Sequence, residues 1–436
     1  MISRFFSRKT NEILSPKIVV GRYSDNNKSL YQVKLWDEAE RFFKEGKFID
    51  SIKYFFLYLK DENIDNVTFE EQNNEFKFEI IQGPKILRGI GNPKYLHATV
   101  ALVEMKDLSV PVMRRLLEEN FKMFYCRFAM HENKIIMKFD TETETANPNK
   151  LYYALKEMAV VANRQSYMLS KNFPSLRRID SEHVAELPEH EKEIKIKFMR
   201  KWIADGFAII DTLDANKNVN GICIILLNIV FTIDFFLAPH GNLAIDLYRI
   251  QELNEKKEYP SQIQRNRLMK EGIEKILNTD VSEIAANLTG EIATFSLRQP
   301  KTITEVEENI RNANSSMAWY KSNGYYNLSN IISIYGFAVS QYKYSLPRPV
   351  TQFFEIFMEV NYSDYFYEFY GRYNYFDPEK QQFHIHKIEN AINIVVNVWR
   401  AKYRQLSFPV EKLEYNNLLA FNLSFTRIVS TLNLDL

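Results

Sequence analysis

Two histidines, His183 and His190, sit among Glu182, Glu186, Glu189 and Glu191 in SEHVAELPEHEK. Imidazoles and carboxylates are zinc ligands, but zinc takes a fixed tetrahedral set from rigid elements. A separation of seven residues on an acidic, loop-like segment does not supply that set, so the stretch reads as a solvated charge run. His384 and His386 would share one face of an extended chain, yet no acidic or cysteine partner stands with them. No metal and no cofactor is expected. Gly89 and Gly91 open a GxG, but Lys94 stands where GxGxxG needs its third glycine, so a bulge or strand end replaces the phosphate loop. Nucleophilic chemistry has no foothold: there is no GxSxG elbow and no signature around Cys126 or Cys223. Both cysteines lie in apolar runs and read as buried thiols of a reducing compartment, with a bridge as the alternative. Glu118-Glu119 and Glu307-Glu308 are neighbours on helices, so their carboxylates diverge where general acid–base work needs them to converge. Residues 362–376, YSDYFYEFYGRYNYF, could stack on bases or sugars. Asp364, Glu368 and Asp377 oppose phosphate and only Arg372 favours it, so these rings are expected to pack inside a helical domain, with a peptide groove as the alternative.

With no catalytic constellation, the elements carry the argument. The 436 residues are 46% hydrophobic and 14% aromatic, ample for a large core and against disorder. Gly (13) and Pro (14) are few for a turn-rich all-β chain, which favours helix. A net charge of +1 gives no global field for nucleic acid or anionic membrane, and neither is expected as a partner. The N-terminus has no apolar signal core, so the cytoplasm is the expected location. Residues 222–238, ICIILLNIVFTIDFFLA, are marginal in length for a membrane span and contain Asn228 and Asp234. They read as a buried core helix, with a membrane helix or strands as alternatives.

Residues 1–30 are polar and irregular. Apolar residues at helical spacing from Trp36 to Leu59, interrupted at Gly46, predict two helices or one bent helix. This stretch resembles a tetratricopeptide hairpin, as does 318–337 around Gly324, but two distant matches are no array, and plain helical hairpins with a glycine bend are expected. Period-two alternation predicts three strands over 67–105, with turns at Gln82-Gly83-Pro84 and Asn92-Pro93. Ser109 and Pro111 open a helix with Met113, Leu116, Leu117, Phe121 and Phe124 at spacings of three and four, and Asn120 is expected to end it in the left-handed conformation. A turn at Glu132-Asn133 then pairs Met130 with Ile135, Phe128 with Met137 and Cys126 with Phe139. Tyr125, Arg127, Ala129, Ile136, Lys138 and Asp140 take the other face. Asn147-Pro148 begins a long helix with Leu151, Leu155, Met158, Ala162 and Leu169 on its buried stripe.

This order, helix, three strands, helix, two strands, helix, resembles the type III secretion chaperone-like fold, in particular its YbjN-like branch. Leu116, Leu117 and Asn120, then Phe128-Ala129-Met130, Ile135–Asp140 and Leu151 to Ala162 carry the resemblance, which covers residues 35–172. It implies a protein-binding module. The secretion chaperones pair as dimers and hold extended stretches of a client, whereas the role of the YbjN-like branch is obscure. The long chain beyond residue 172 departs from both patterns.

The expected architecture is therefore α+β. A five-stranded antiparallel sheet with flanking helices fills 31–175, an acidic linker follows at 176–193, then a helical region at 194–298 and an aromatic-rich helical region at 299–436. The expected function is non-catalytic, chaperone-like binding of an extended protein or peptide segment at a surface with Tyr125, Arg127, Ile136 and Lys138, with a homodimer an open option. The alternatives are a helical scaffold, or an enzyme whose site is assembled across domains.

Overall fold

The computed structural model describes residues 18, 20–24, 28–62, 64–179, 183–256, 258 and 261–435. Most of the segment expected to be irregular, 1–30, lies outside these residues, as does Glu182. The fold is α+β: an antiparallel sheet with flanking helices, then a mostly helical remainder. The chain divides into two compact units. One holds Tyr23–Leu187 and Thr289–Pro300; the other holds Met1–Arg22, Pro188–Leu288 and Lys301–Leu436.

In the sheet unit, α1 (Leu30–Lys44) and α2 (Phe48–Leu59) form a hairpin. Ser29 and Gln32 close a capping box at the start of α1. Gly46 turns the chain at φ +75°, where a side chain would be strained. Next come β1 (Val67–Gln72), β2 (Glu75–Gln82), β3 (Lys85–Gly91), β4 (Tyr95–Glu104), α3 (Val110–Asn120), β5 (Arg127–His131), β6 (Lys134–Glu142) and α4 (Pro148–Asn172). The strands run in the order β1-β2-β3-β4-β6-β5, and β7 (Arg177–Arg178) pairs with the end of β4. The main path therefore has six strands where five were expected. Asn73 and Asn74 both adopt positive φ, 55° and 62°, and fold what reads as one alternating run into the β1–β2 hairpin.

One face of the sheet is buried by Phe76, Phe78, Leu87, Leu96, Ala98, Val100, Met137 and Phe139, together with Phe55 and Phe56 of α2 and Leu151, Leu155, Met158 and Ala162 of α4. Gly89 and Gly91 belong to this core. Phe78 pairs with Gly89 and Phe76 with Gly91 across the ladder, and each ring lies where the missing Cβ would be. A Cβ at Gly89 would fall 2.0 Å from Phe78 Cζ. Gly89→Ala is therefore expected to destabilise the sheet unit by about 1–3 kcal/mol, read as a lower urea midpoint with unchanged slope.

The stretch 176–193, read as a tether, holds β7, β8 (Ala185–Glu186) and the first turn of α5. β8 pairs with β9 (Thr289–Gly290), and the chain after β9 stays on the sheet unit. There the Gln82 side chain accepts from the N–H groups of Thr294 and Phe295, and Phe295 enters the core.

The second unit comprises α5 (Glu189–Asp211), α6 (Val219–Leu237), α7 (Gly241–Leu253), α8 (Gln262–Leu277), α9 (Val281–Ala285), α10 (Ile303–Ser322), α11 (Tyr326–Lys343), α12 (Arg348–Asn361), α13 (Ser363–Tyr370), α14 (Ile385–Trp399) and α15 (Leu418–Val429). The apolar run at 222–238 forms α6, which packs against α5, α7, α8 and α11 and is buried along most of its length. Two of its polar residues meet one phenol, although the Asn228 Oδ1 stays buried without a partner among the described residues. Asn228 donates to the Tyr362 hydroxyl, which also meets Thr232 Oγ1 at 3.0 Å. The aromatic run supplies core: Tyr365 is fully buried, with ring centroids 5.4 Å from Phe198, 5.5 Å from Trp202 and 4.8 Å from Phe236. Gly324, at φ +82°, bends α10 into α11 as Gly46 bends α1 into α2.

Candidate functional site

The expected hairpin register is present: Met130 pairs with Ile135, Phe128 with Met137, Ala129 with Ile136 and Arg127 with Lys138. β5 begins at Arg127, so Cys126 lies just before the ladder. It is a buried free thiol whose Sγ–H donates to Ala154 O at 3.3 Å. Burial pushes this thiol well above its ordinary range, and Glu157 adds to the effect. Cys223 is likewise buried and free, its thiol raised by burial to about 11.

The four residues expected to form a binding surface lie around one end of the sheet. Arg127 and Lys138 face each other across the β5–β6 ladder, and Ile136 shares their face. Tyr125, 39% exposed, precedes β5. The structure gives three of these four a local role. Arg127 Nη1 donates to the Cys126 carbonyl, Lys138 pairs with Asp140 at 3.0 Å, and Ile136 is half-buried. Partial burial pushes the Asp140 carboxyl up, but hydrogen bonds from His97 and Lys138 outweigh this and hold it below its ordinary value. The rest of this sheet face is mixed and polar, as in the Arg88–Glu79 pair at 2.8 Å.

A more apolar surface stands beside these residues, on α3. Val112, Leu116, Glu119 and Met123 are buried. Val110, Arg114, Leu117 and Phe121 lie on the opposite side, since a helix turn takes about 3.6 residues. Leu108 is 80% exposed, Val110 72%, Leu117 68%, Phe121 95% and Phe124 85%. Leu117, Phe121 and Phe124 read in sequence as part of a single helical stripe with Leu116. In fact α3 has two apolar stripes, and the core takes the one containing a glutamate. Glu119 can be buried because Arg115 and Lys122 pair with it, each at 2.9 Å, and Gln165 of α4 donates to it at 2.8 Å. Val112, Leu116 and Met123 follow the same helical spacing as the exposed stripe, so spacing alone gave no signal for this choice.

Two polar side chains fix the chain that carries the exposed rings. Asn120 does not end α3 in the left-handed conformation; the cap residue Phe121 is right-handed, at φ −68°. Asn120 instead acts as a strand partner. The Phe128 N–H donates to its Oδ1 at 2.6 Å, and its Nδ2 donates to the Phe128 carbonyl at 3.4 Å. Glu157 of α4 accepts from three successive backbone N–H groups, those of Phe124, Tyr125 and Cys126, at 2.8, 2.8 and 2.9 Å. Charge-assisted bonds of this kind are the strong ones. Glu157→Ala is expected to cost about 2–3 kcal/mol and to speed amide exchange most at 124–126, read by hydrogen–deuterium exchange. Phe121 and Phe124 are therefore exposed on tethered backbone.

The histidine pairs do not come together as ligand sets. His183 Nε2 lies 2.9 Å from the Gly83 carbonyl, and His190 is exposed on α5. His384 is the residue preceding α14, with Nδ1 2.9 Å from Asn374 O and no side-chain bond to the helix, and His386 lies in the first turn. Among the described residues, no cluster of three or more His, Cys, Asp or Glu is placed to hold a metal ion. Compared with known proteins, the chain matches no protein-family model. No curated protein matches it significantly either, so the reading of this surface rests on its geometry.

Proposed function

We propose that the protein is a non-catalytic binding module for another polypeptide, engaged through the outer stripe of α3 and the 121–125 loop. The observation that carries this reading is the exposure of Phe121 and Phe124 on a backbone held by Asn120 and Glu157. Monomeric proteins seldom leave contiguous apolar patches of more than a few hundred Å² uncovered. The five exposed side chains offer on the order of 800 Å², about one partner's share of a standard specific interface. Tyr125 extends the patch, while Arg127, Ile136 and Lys138 form a separate second contact.

A photo-cross-linking side chain at position 121 of the full chain tests the reading. In native extract it is expected to yield a discrete polypeptide adduct, reduced about tenfold by Leu117→Asp with Phe124→Asp. The same probe at Lys77, on the polar sheet face, should give none. No adduct at 121, or the same adducts from both positions, would remove the surface from consideration. Alanine at Arg127, Ile136 and Lys138 asks separately whether the strand face contributes.

A further inference from the structure

We infer that the partner docks on α3 as an amphipathic helix bearing a carboxylate opposite Arg114, not as a strand added to the sheet. This rests on the binding reading above and names the partner's chemistry. The edge of β5 is poorly suited to strand addition. An incoming strand needs the outward-facing N–H and C=O groups of the edge residues. At Phe128 both groups are engaged by Asn120, and the outward N–H of Cys126 is engaged by Glu157. A strand would have to displace both side chains and leave the Glu157 carboxylate without its three donors.

The α3 stripe has the shape a helix fits. Val110, Arg114, Leu117 and Phe121 follow one another at spacings of four, three and four, a straight ridge about 16 Å long. Partner side chains at helical spacing interdigitate with such a ridge. Its one charge sets the polarity of the match. Arg115 and Lys122 are committed to Glu119, and Arg115 also lies 3.7 Å from Glu118. Arg114 is exposed and, among the described residues, makes no ion pair, although it stands between Val110 and Leu117. Closing an apolar face over an unmatched guanidinium is costly, whereas a facing carboxylate offsets the cost and selects the partner.

Fluorescein-labelled synthetic peptides about five turns long provide the test, titrated against the full chain by anisotropy. One carries leucines at i, i+3, i+4 and i+7 with a glutamate at the centre of that face. The second has lysine in place of the glutamate, and the third has the first peptide's composition with a central proline. The glutamate peptide is expected to bind at least about tenfold more tightly than either of the others. Arg114→Glu, at an exposed position that makes no ion pair among the described residues, should invert the preference between glutamate and lysine. Equal binding of the glutamate and lysine peptides, equal binding of the proline peptide, or no binding would overturn the inference. So would concentration-dependent self-association lost with Leu117→Asp, which would assign the stripe to a second copy. If the peptides fail but the cross-link at 121 persists, only the helix and its charge fall; if both fail, the binding reading falls too.

Discussion

Asp234→Ala is expected to cost about 3–5 kcal/mol, one of the two largest effects foreseen for a single substitution in this protein. Asp234 lies near the end of α6, 5% exposed, and is the one charged residue of that helix. The Nε and Nη2 atoms of Arg22 both reach its Oδ1, at 2.9 and 2.6 Å, and Nη2 also donates to the Pro239 carbonyl at 2.8 Å. Removing the carboxylate takes this counter-charge from a mostly buried guanidinium, and the uncompensated desolvation, more than the missing attraction, dominates the cost. Arg22→Met combined with Asp234→Leu removes both charges and should cost much less than the sum of the single changes. Urea denaturation followed by Trp202 fluorescence, in a background with Trp36, Trp319 and Trp399 replaced by Phe, reports on this unit, because Trp202 of α5 packs on Phe236 of α6. A cost below about 1 kcal/mol for Asp234→Ala would mean that the pair behaves as a solvated surface pair.

The second large effect is a pH dependence centred on Glu359. Burial pushes its carboxyl up to about 7, against an ordinary 4.5, and nearby Glu355 adds to the rise while the hydrogen bond from Asn374 Nδ2, at 2.8 Å, opposes it. Between these two values the folded protein holds a proton that the unfolded chain has released. The contribution of Glu359 to stability is therefore greatest below the unfolded value, falls as pH rises through the window, and levels off above about 7. The full swing is up to about 3 kcal/mol at about 1.4 kcal/mol per pKa unit. Glu359→Gln keeps the acceptor for Asn374 and has nothing to ionise. It should match the parent protein near pH 4 and exceed it by about 2–3 kcal/mol near pH 8. Parallel denaturation midpoints across that range would show that Glu359 is hydrated and ordinary. The half-buried phenols of Tyr370 and Tyr375 are raised mainly by burial and further by the nearby Glu359 charge, so their ionisation above neutral pH is affected by the same substitution.

Much of the fold was legible in local pattern. The β5–β6 register could be read from alternation, because a slip by one residue would turn Phe128, Met130, Ile135 and Met137 out of the core. The buried stripe of α4 and the packing role of the aromatic run were equally plain in spacing and composition. The sixth strand was hidden because Asn73-Asn74 looks polar and harmless, while the hairpin depends on both residues taking positive φ. The candidate site was only half legible: alternation pointed to Tyr125 and its strand neighbours, while the more exposed Leu117, Phe121 and Phe124 read as one helical stripe with Leu116.

Periodicity along one segment thus determined which residues form helices and strands, and which strand residues share a face. It could not choose between the two apolar stripes of α3, because both satisfy the same spacing. That choice was made by partners on other elements: Gln165 satisfying Glu119, Glu157 holding the 121–126 loop, and Asn120 closing the β5 edge. The Arg22–Asp234 pair, separated by 212 positions, is likewise a product of tertiary structure alone. The physical reason is common to all of them: burying a polar group is costly unless its partner arrives, and the partner's arrival depends on the three-dimensional path of the chain.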